Sequence, residues 1–95
     1  MFPKFTVSAV IPNSEGKYLY VLNEKDGLWS LLAGKVKEKE SPLEALARES
    51  FEEIKAGIQI HSLIRIYQFV SIPGNEILNF TYFATLRNQN IHPGE

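Results

Sequence analysis

The stretch GKVKEKESPLEALARESFEE, Gly34 to Glu53, decides how this chain is read. It opens on a glycine, carries an isolated acid at Glu40 and ends in an R-E-x-x-E-E cluster formed by Arg48, Glu49, Glu52 and Glu53. Ser41 is a natural helix N-cap and Pro42 suits the first helical position. Glu44 stands three residues after Ser41, where its carboxylate can return to the N–H of the cap. The spacing predicts a helix over about 41–56. At about 100° per residue, Leu43, Leu46, Ala47, Ser50 and Ile54 form one stripe for the core, and Glu49, Glu52 and Glu53 form another. The three glutamates can converge, although like charges at that spacing repel by roughly a few tenths of a kcal/mol. Arg48 can offset part of this charge, with Glu44 one turn earlier and Glu52 one turn later as partners, but it does not easily reach all three glutamates. A hard divalent cation such as Mg²⁺ or Mn²⁺ would reach them, because such ions take carboxylate oxygens. On charge alone, an acidic helix face is usually a solvated surface.

Outward from this segment, the pattern changes from helical to strand. Phe5, Val7, Ala9 and Ile11 alternate with Thr6 and Ser8, the period of a half-buried strand. Asn13-Ser14-Glu15-Gly16 reads as a turn and Lys17 to Leu22 as the partner strand of a hairpin. Trp29 to Leu32 reads as a short apolar strand broken at Ala33-Gly34. Ile58 to Val70 and Ile77 to Leu86 are two longer strands separated by the turn-forming Pro73-Gly74-Asn75. The order strand, strand, short strand, helix, strand, strand predicts an α+β fold with a mixed or antiparallel sheet.

Composition bounds the function. At 95 residues the chain is one domain over 1–95 with a modest core. No apolar run approaches the roughly 18 residues of a membrane span, and the N-terminus lacks the pattern of a secretory signal, so no membrane association is expected. The absence of cysteine excludes disulfides and thiolate metal sites and fits a reducing cytoplasm. A net charge of −1 argues against general nucleic-acid binding, which needs a basic surface.

The whole motif goes beyond helix charge. Gly34, Glu40, Arg48, Glu49, Glu52 and Glu53 match G-x5-E-x7-R-E-U-x-E-E-x-G-U, with U a bulky aliphatic residue, at the correct spacing. The segment, with its strand, loop and helix context, thereby resembles the Nudix hydrolase family. The resemblance implies a Nudix fold with the sheet packed on the motif helix. It implies that Glu52 and Glu53 bind metal, and that Glu49 ligates metal or assists as base through a water. The Gly34 carbonyl would add a loop ligand, Glu40 would brace the loop against the helix, and Arg48 would orient the carboxylates. The chemistry implied is Mg²⁺- or Mn²⁺-dependent attack of water on the phosphorus of a phosphoanhydride in a nucleoside di- or triphosphate or related small diphosphate.

The chain also departs from the pattern. Ala33 stands where a second glycine is common, and Ser50 replaces the bulky aliphatic residue, which should weaken packing by roughly 1–3 kcal/mol. Gly57-Ile58 comes two residues late. Nudix domains usually continue with a further strand, a C-terminal helix and often another acidic ligand, so the expectation is a domain lacking that part. It is then either a fragment or a minimal form whose open sheet edge invites pairing into a homodimer. Glu95, after Pro93-Gly94, is a candidate start of that acidic loop.

The substrate is written less clearly. Phe5-Thr6-Val7, Leu28-Trp29, Ala33-Gly34 and Ile64 to Gln68 look more loosely like the NudJ group of bacterial Nudix phosphatases, which implies nucleotides or the pyrophosphate of the thiamine pyrimidine precursor as substrates. Arg65 and Trp29 are candidate substrate-binding residues, with a cross-sheet ion pair the competing role for Arg65. Tyr67, Phe69, Phe80 and Tyr82 could stack a base, but aromatics at strand period more often serve the core or cross-strand pairs. Lys35, Lys37 and Lys39 alternate beside the motif and could attract anions or simply be solvated. His61 and His92 have no partner pattern. The alternative to a hydrolase is an inactive Nudix-fold module that binds nucleotide or a protein partner.

Overall fold

The computed structural model describes residues 4–72 and 74–87. It contains β1 (Lys4–Val10), β2 (Val21–Asn23), β3 (Leu28–Ser30), β4 (Leu32–Lys35), α1 (Pro42–Ile54), β5 (Ile58–Ile72) and β6 (Asn75–Leu86). Pro73, His92 and the Pro93-Gly94-Glu95 segment lie outside the described residues.

β1 shows the expected alternation at Val7 and Ala9, but Phe5 is 43% exposed and Ser8, on the opposite face, is buried as well. Val7, Ala9 and, just beyond the strand, Ile11 are buried in a core shared with Leu32, Ala45, Leu46, Tyr82 and Ala84. On the other sheet face Thr6, Ser8, Asn79 and Thr81 satisfy one another: the Asn79 amide donates to Thr6 at 2.8 Å, and the Ser8 and Thr81 hydroxyls lie 2.9 Å apart. These are polar groups bonded inside the fold, which removes the cost of burying them.

The partner of β1 is not the one expected. Asn13 does form the turn, accepting the N–H groups of Glu15 and Lys17, but the arms then hold only a bridge between Pro12 and Tyr18 and the Leu19 N–H to Ile11 bond. Instead β1 runs antiparallel to β4 and parallel to β6, giving the order β4-β1-β6-β5. Both edges of β1 are taken by these longer pairings, and Pro12 has no N–H to extend the hairpin. Val21–Asn23 pairs with Leu28–Ser30 as a separate two-stranded ribbon. The strand expected over Trp29 to Leu32 is therefore split between β3 and β4, and Gly34 continues β4 opposite Val7 rather than ending it.

The helix start is as read. Ser41 accepts from the Glu44 N–H, Glu44 accepts from the Ser41 N–H, and Pro42 stands in the first turn. The helix closes at Ile54, with Lys55 in the left-handed region at φ 56°, two residues short of the expected end. Its buried arc is rotated from the expected stripe. Ala45, Leu46 and Ser50 are buried, whereas Leu43 and Ala47 are exposed. The helix makes most of its contacts with β4 and β1 and few with β5, so the side carrying Leu43 and Ala47 overhangs an open groove beside Ile58–Leu63. Ser50 is fully buried, and its hydroxyl donates to the Ala47 carbonyl at 2.8 Å.

Candidate functional site

Strand β4 and the first three turns of α1 meet at Gly34. A β-carbon there would overlap the Glu49 carboxyl group, so any other residue would push the Glu49 side chain out of its place. The loop that follows is held by few atoms. The Val36 N–H reaches the Phe5 carbonyl at 2.9 Å, the Lys37 N–H reaches Glu40 Oε1 at 2.9 Å, and Lys39 takes a left-handed φ of 67°.

Arg48 is the hub of the site. Its Nε and Nη2 clasp both oxygens of Glu40 at 2.8 and 3.1 Å, while Nη1 donates to Glu49 at 2.8 Å and to Glu52 at 3.1 Å. Nη2 also donates to the Lys35 carbonyl at 2.9 Å. All five guanidinium N–H groups are thereby committed, a fork that a lysine cannot reproduce. The Arg48 clasp, helped by the Lys37 N–H, lowers the Glu40 carboxyl to a pKa of about 2, and Glu40 in turn raises that of Arg48. Glu44, expected as an Arg48 partner, is occupied at the cap instead.

Glu53 stands apart from this network. Its Oε1 is buried without a hydrogen-bond partner. Burial raises its pKa first and the Glu49 charge next, with the Ala33 backbone amide opposing and Glu52 adding. It faces a cleft of about 470 Å³ lined with Ala33, Ser30 and the ribbon residues Asn23 and Lys25. These ribbon residues were not legible as site residues. Asn23 and Asp26 hold the ribbon turn by accepting the N–H groups of Lys25 and Leu28.

The motif residues are thus together, but not convergent. Among the described residues no three acidic or histidine side chains meet around one point. Glu49 and Glu52 turn to Arg48 while Glu53 turns to the cleft. Three carboxylates, Glu40, Glu49 and Glu52, share one guanidinium, and Glu53 beside them adds a fourth whose buried Oε1 has no donor. That surplus of negative charge fits a cation, and carboxylate oxygens are the hard donors that Mg²⁺ or Mn²⁺ takes.

The two candidate substrate residues lie elsewhere. Trp29 is 66% exposed on β3 and does not line the Glu53 cleft. Arg65 is on β5, three strand spacings or about 14 Å across the sheet from β4. Its cross-strand partner is Thr81, which puts it on the face away from the helix. There it lies 4.6 Å over the Tyr67 ring, not in the ion pair weighed from sequence. Tyr82 and Phe80 serve the core, while Tyr67 and Phe69 stack at 5.6 Å on the Arg65 face.

The sequence matches the NUDIX domain family over residues 3–95. This chain belongs to the NUDIX family. It is 34% identical over 86 residues to Phosphatase NudJ of Escherichia coli strain K12, covering 88% of this chain and 56% of that protein. The NUDIX chain therefore spans about half the length of the curated relatives it matches. A NUDIX hydrolase from Nitrosomonas europaea superposes with a TM-score of 0.80 at 29% identity, covering 98% of this chain and 64% of that one. A UDP-X diphosphatase shares the fold at TM-score 0.83 and 21% identity, over 93% of this chain and 44% of its own. Against these NUDIX folds, the mixed sheet with its single described helix is the family architecture. No helix among the described residues is long and apolar enough to cross a membrane.

Proposed function

We propose that this Nudix chain carries a metal-dependent hydrolytic centre that cleaves a phosphoanhydride bond of a nucleoside di- or triphosphate or related small diphosphate. The observation that carries the reading is the buried, donorless Glu53 Oε1 beside Glu49 and Glu52. Carboxylates left in that state are costly unless something positive joins them. Glu52 and Glu53 would hold Mg²⁺ or Mn²⁺, with Glu49 and the Gly34 carbonyl alongside. Bound there, the ion would set positive charge against the diphosphate and make an attacking water more acidic.

The chain's own groups do the rest. Arg48 holds Glu49 and Glu52 in fixed rotamers, and Glu40 ties the loop to the helix through the same guanidinium. Glu49, released from Arg48 or through a water, would accept a proton from the nucleophile. Gly34 lets the strand backbone approach that carboxylate. NudJ is a phosphatase by name, which supports a small phosphate compound as substrate. A cytoplasmic enzyme without general nucleic-acid affinity completes the reading, and the edge of β5, unpaired among the described residues, is where a second copy would pair.

A second reading has one observation in its favour. Because Glu49 and Glu52 are already bound to Arg48 and no three acidic or histidine side chains converge among the described residues, the fold could serve as a binding module without turnover.

The test is release of phosphate or pyrophosphate from nucleotides, sugar nucleotides and small diphosphates, with and without Mg²⁺ or Mn²⁺. Metal-dependent turnover is expected, reduced at least about 100-fold in a Glu52→Gln, Glu53→Gln double variant that stays folded. Binding of the same nucleotides with no release at any metal concentration would instead establish the module.

A further inference from the structure

A second cavity, about 500 Å³, lies against the Glu40 side of the Arg48 hub. Lys4, Lys35, Lys37 and Lys39 surround it, and Phe5 and Val36 supply its apolar wall. Among the described residues, none of the four ammonium groups is in an ion pair. Of the two acids there, Glu40 is saturated by Arg48 and the Lys37 N–H, leaving Glu38 as the one carboxylate to offset four cations. Such an excess of one sign around a concave wall draws anions.

The placement of these lysines is built into the backbone. Lys35 is fixed in β4 opposite Thr6, and the Val36 N–H ties the next residue to Phe5. Glu40 and Lys37 close the loop on each other through the Glu40 N–H to the Lys37 carbonyl at 3.1 Å and the Lys37 N–H to the Glu40 carboxylate. Lys39 stands in the left-handed region, where glycine would sit with less strain, yet the chain places an ammonium there. The cavity and the carboxylate cluster share a wall. The Lys35 carbonyl and Glu40 bind one side of the Arg48 guanidinium, and Glu49 and Glu52 bind the other.

We propose that this cavity is a second phosphoryl subsite, taking phosphate groups beyond the pair that is cleaved, so that the site is built for substrates with three or more phosphates in a chain. This rests on the hydrolase reading for the cleaved end only. The lysines neutralise the distal phosphates by charge without metal, and Phe5 offers an apolar wall to whatever the phosphates carry.

The test has two arms. In the first, inorganic tripolyphosphate is titrated into the metal-free chain with chelator, and amide shifts are followed. Saturable shifts at Phe5 and Lys35 to Glu40 are expected, weakened about fivefold or more in a Lys37→Gln, Lys39→Gln variant and unchanged by Glu52→Gln. Shifts that do not saturate, or that persist equally in the lysine variant, overturn the subsite. In the second arm, KM for a nucleoside tetraphosphate should rise about fivefold in the lysine variant with kcat kept, while a nucleoside diphosphate is unaffected. If tripolyphosphate binds but both KM values stay equal to those of the parent, the cavity holds an independent anion and the substrate assignment falls. If the chain hydrolyses nothing, the same comparison is made on the Kd of the two nucleotides. The subsite then stands or falls separately from the hydrolase reading.

Discussion

The two edges of the four-stranded sheet are built on opposite terms. At the β4 edge nearly every polar group is spoken for: Arg48 commits five N–H groups, Glu40 accepts from both chain and side chain, and Ser41 and Glu44 cap each other. At the β5 edge a fifteen-residue strand pairs on one side only among the described residues, and Leu63, Ile64, Ile66 and Val70 lie exposed on it. One edge invests in charge held in fixed geometry and, among the described residues, leaves one buried side-chain oxygen, Glu53 Oε1, without a donor. The other leaves apolar surface and backbone groups open. Fixed charge with one deficit is what a small ionic ligand recognises, whereas an open ladder recognises another strand.

The largest effect should come from removing the hub. Arg48→Met leaves Glu40, Glu49 and Glu52 facing one another without a cation, and it frees the loop from the helix. The melting temperature should fall by on the order of 10 °C in metal-free buffer. Arg48→Lys should recover only part of this, because a point charge cannot fill a bidentate clasp and three further bonds. Full recovery by lysine in a thermal melt would mean that charge alone matters and that the geometry of this edge is incidental.

Acid should loosen the same edge on a defined schedule. The Glu40 carboxyl is lowered from the usual 4.5 to about 2, chiefly by its hydrogen bonds from Arg48, so the folded form binds its proton less readily than the unfolded form. Its contribution is therefore fully present above about pH 4.5 and is lost as pH falls towards about 2. The stability difference between the parent and Glu40→Gln, measured by denaturant unfolding, should be constant above pH 5 and shrink across that window. A difference that is flat down to pH 2 would show that Glu40 acts only as a packed side chain.

How legible the two edges were from sequence follows the same division. The N-cap, the Ser41–Glu44 box and the alternation of Val7 and Ala9 are local patterns, and they appear where the spacing put them. The parallel pairing of β1 with β6 joins residues more than 70 positions apart, and a period of two says which face is buried but not which strand lies alongside. The i−4 rule selects Glu44 for Arg48, yet the cap claims Glu44 and the loop delivers Glu40. The helix stripe was offset because a helix seated mainly over β4 and β1 turns Ala45 inward and leaves Leu43 and Ala47 over the groove. From sequence, Arg65 is a candidate for a phosphate because its neighbours are apolar. That apolar run is an edge strand, and the guanidinium rests on Tyr67 instead.

The smallest effect on the folded unit, and the sharpest test of the contrast, is at β5. Ile64 and Ile66 are 53% and 52% exposed, and nothing on this strand but Arg65 and His61 resists strand addition by charge or ring polarity. Two copies pairing antiparallel through β5 would continue the sheet and bury these side chains at the junction. Sedimentation velocity should then show association that rises with concentration, abolished by Ile64→Lys with Ile66→Lys. Melting temperature should change by no more than about 4 °C, as for exposed sites. Lysine at an open edge costs little in the monomer but sets like charges against each other across the pair. A parent chain that stays monomeric at every concentration would show that the backbone ladder of β5 is not accessible to a second copy, and the contrast between the edges would reduce to that of their side chains.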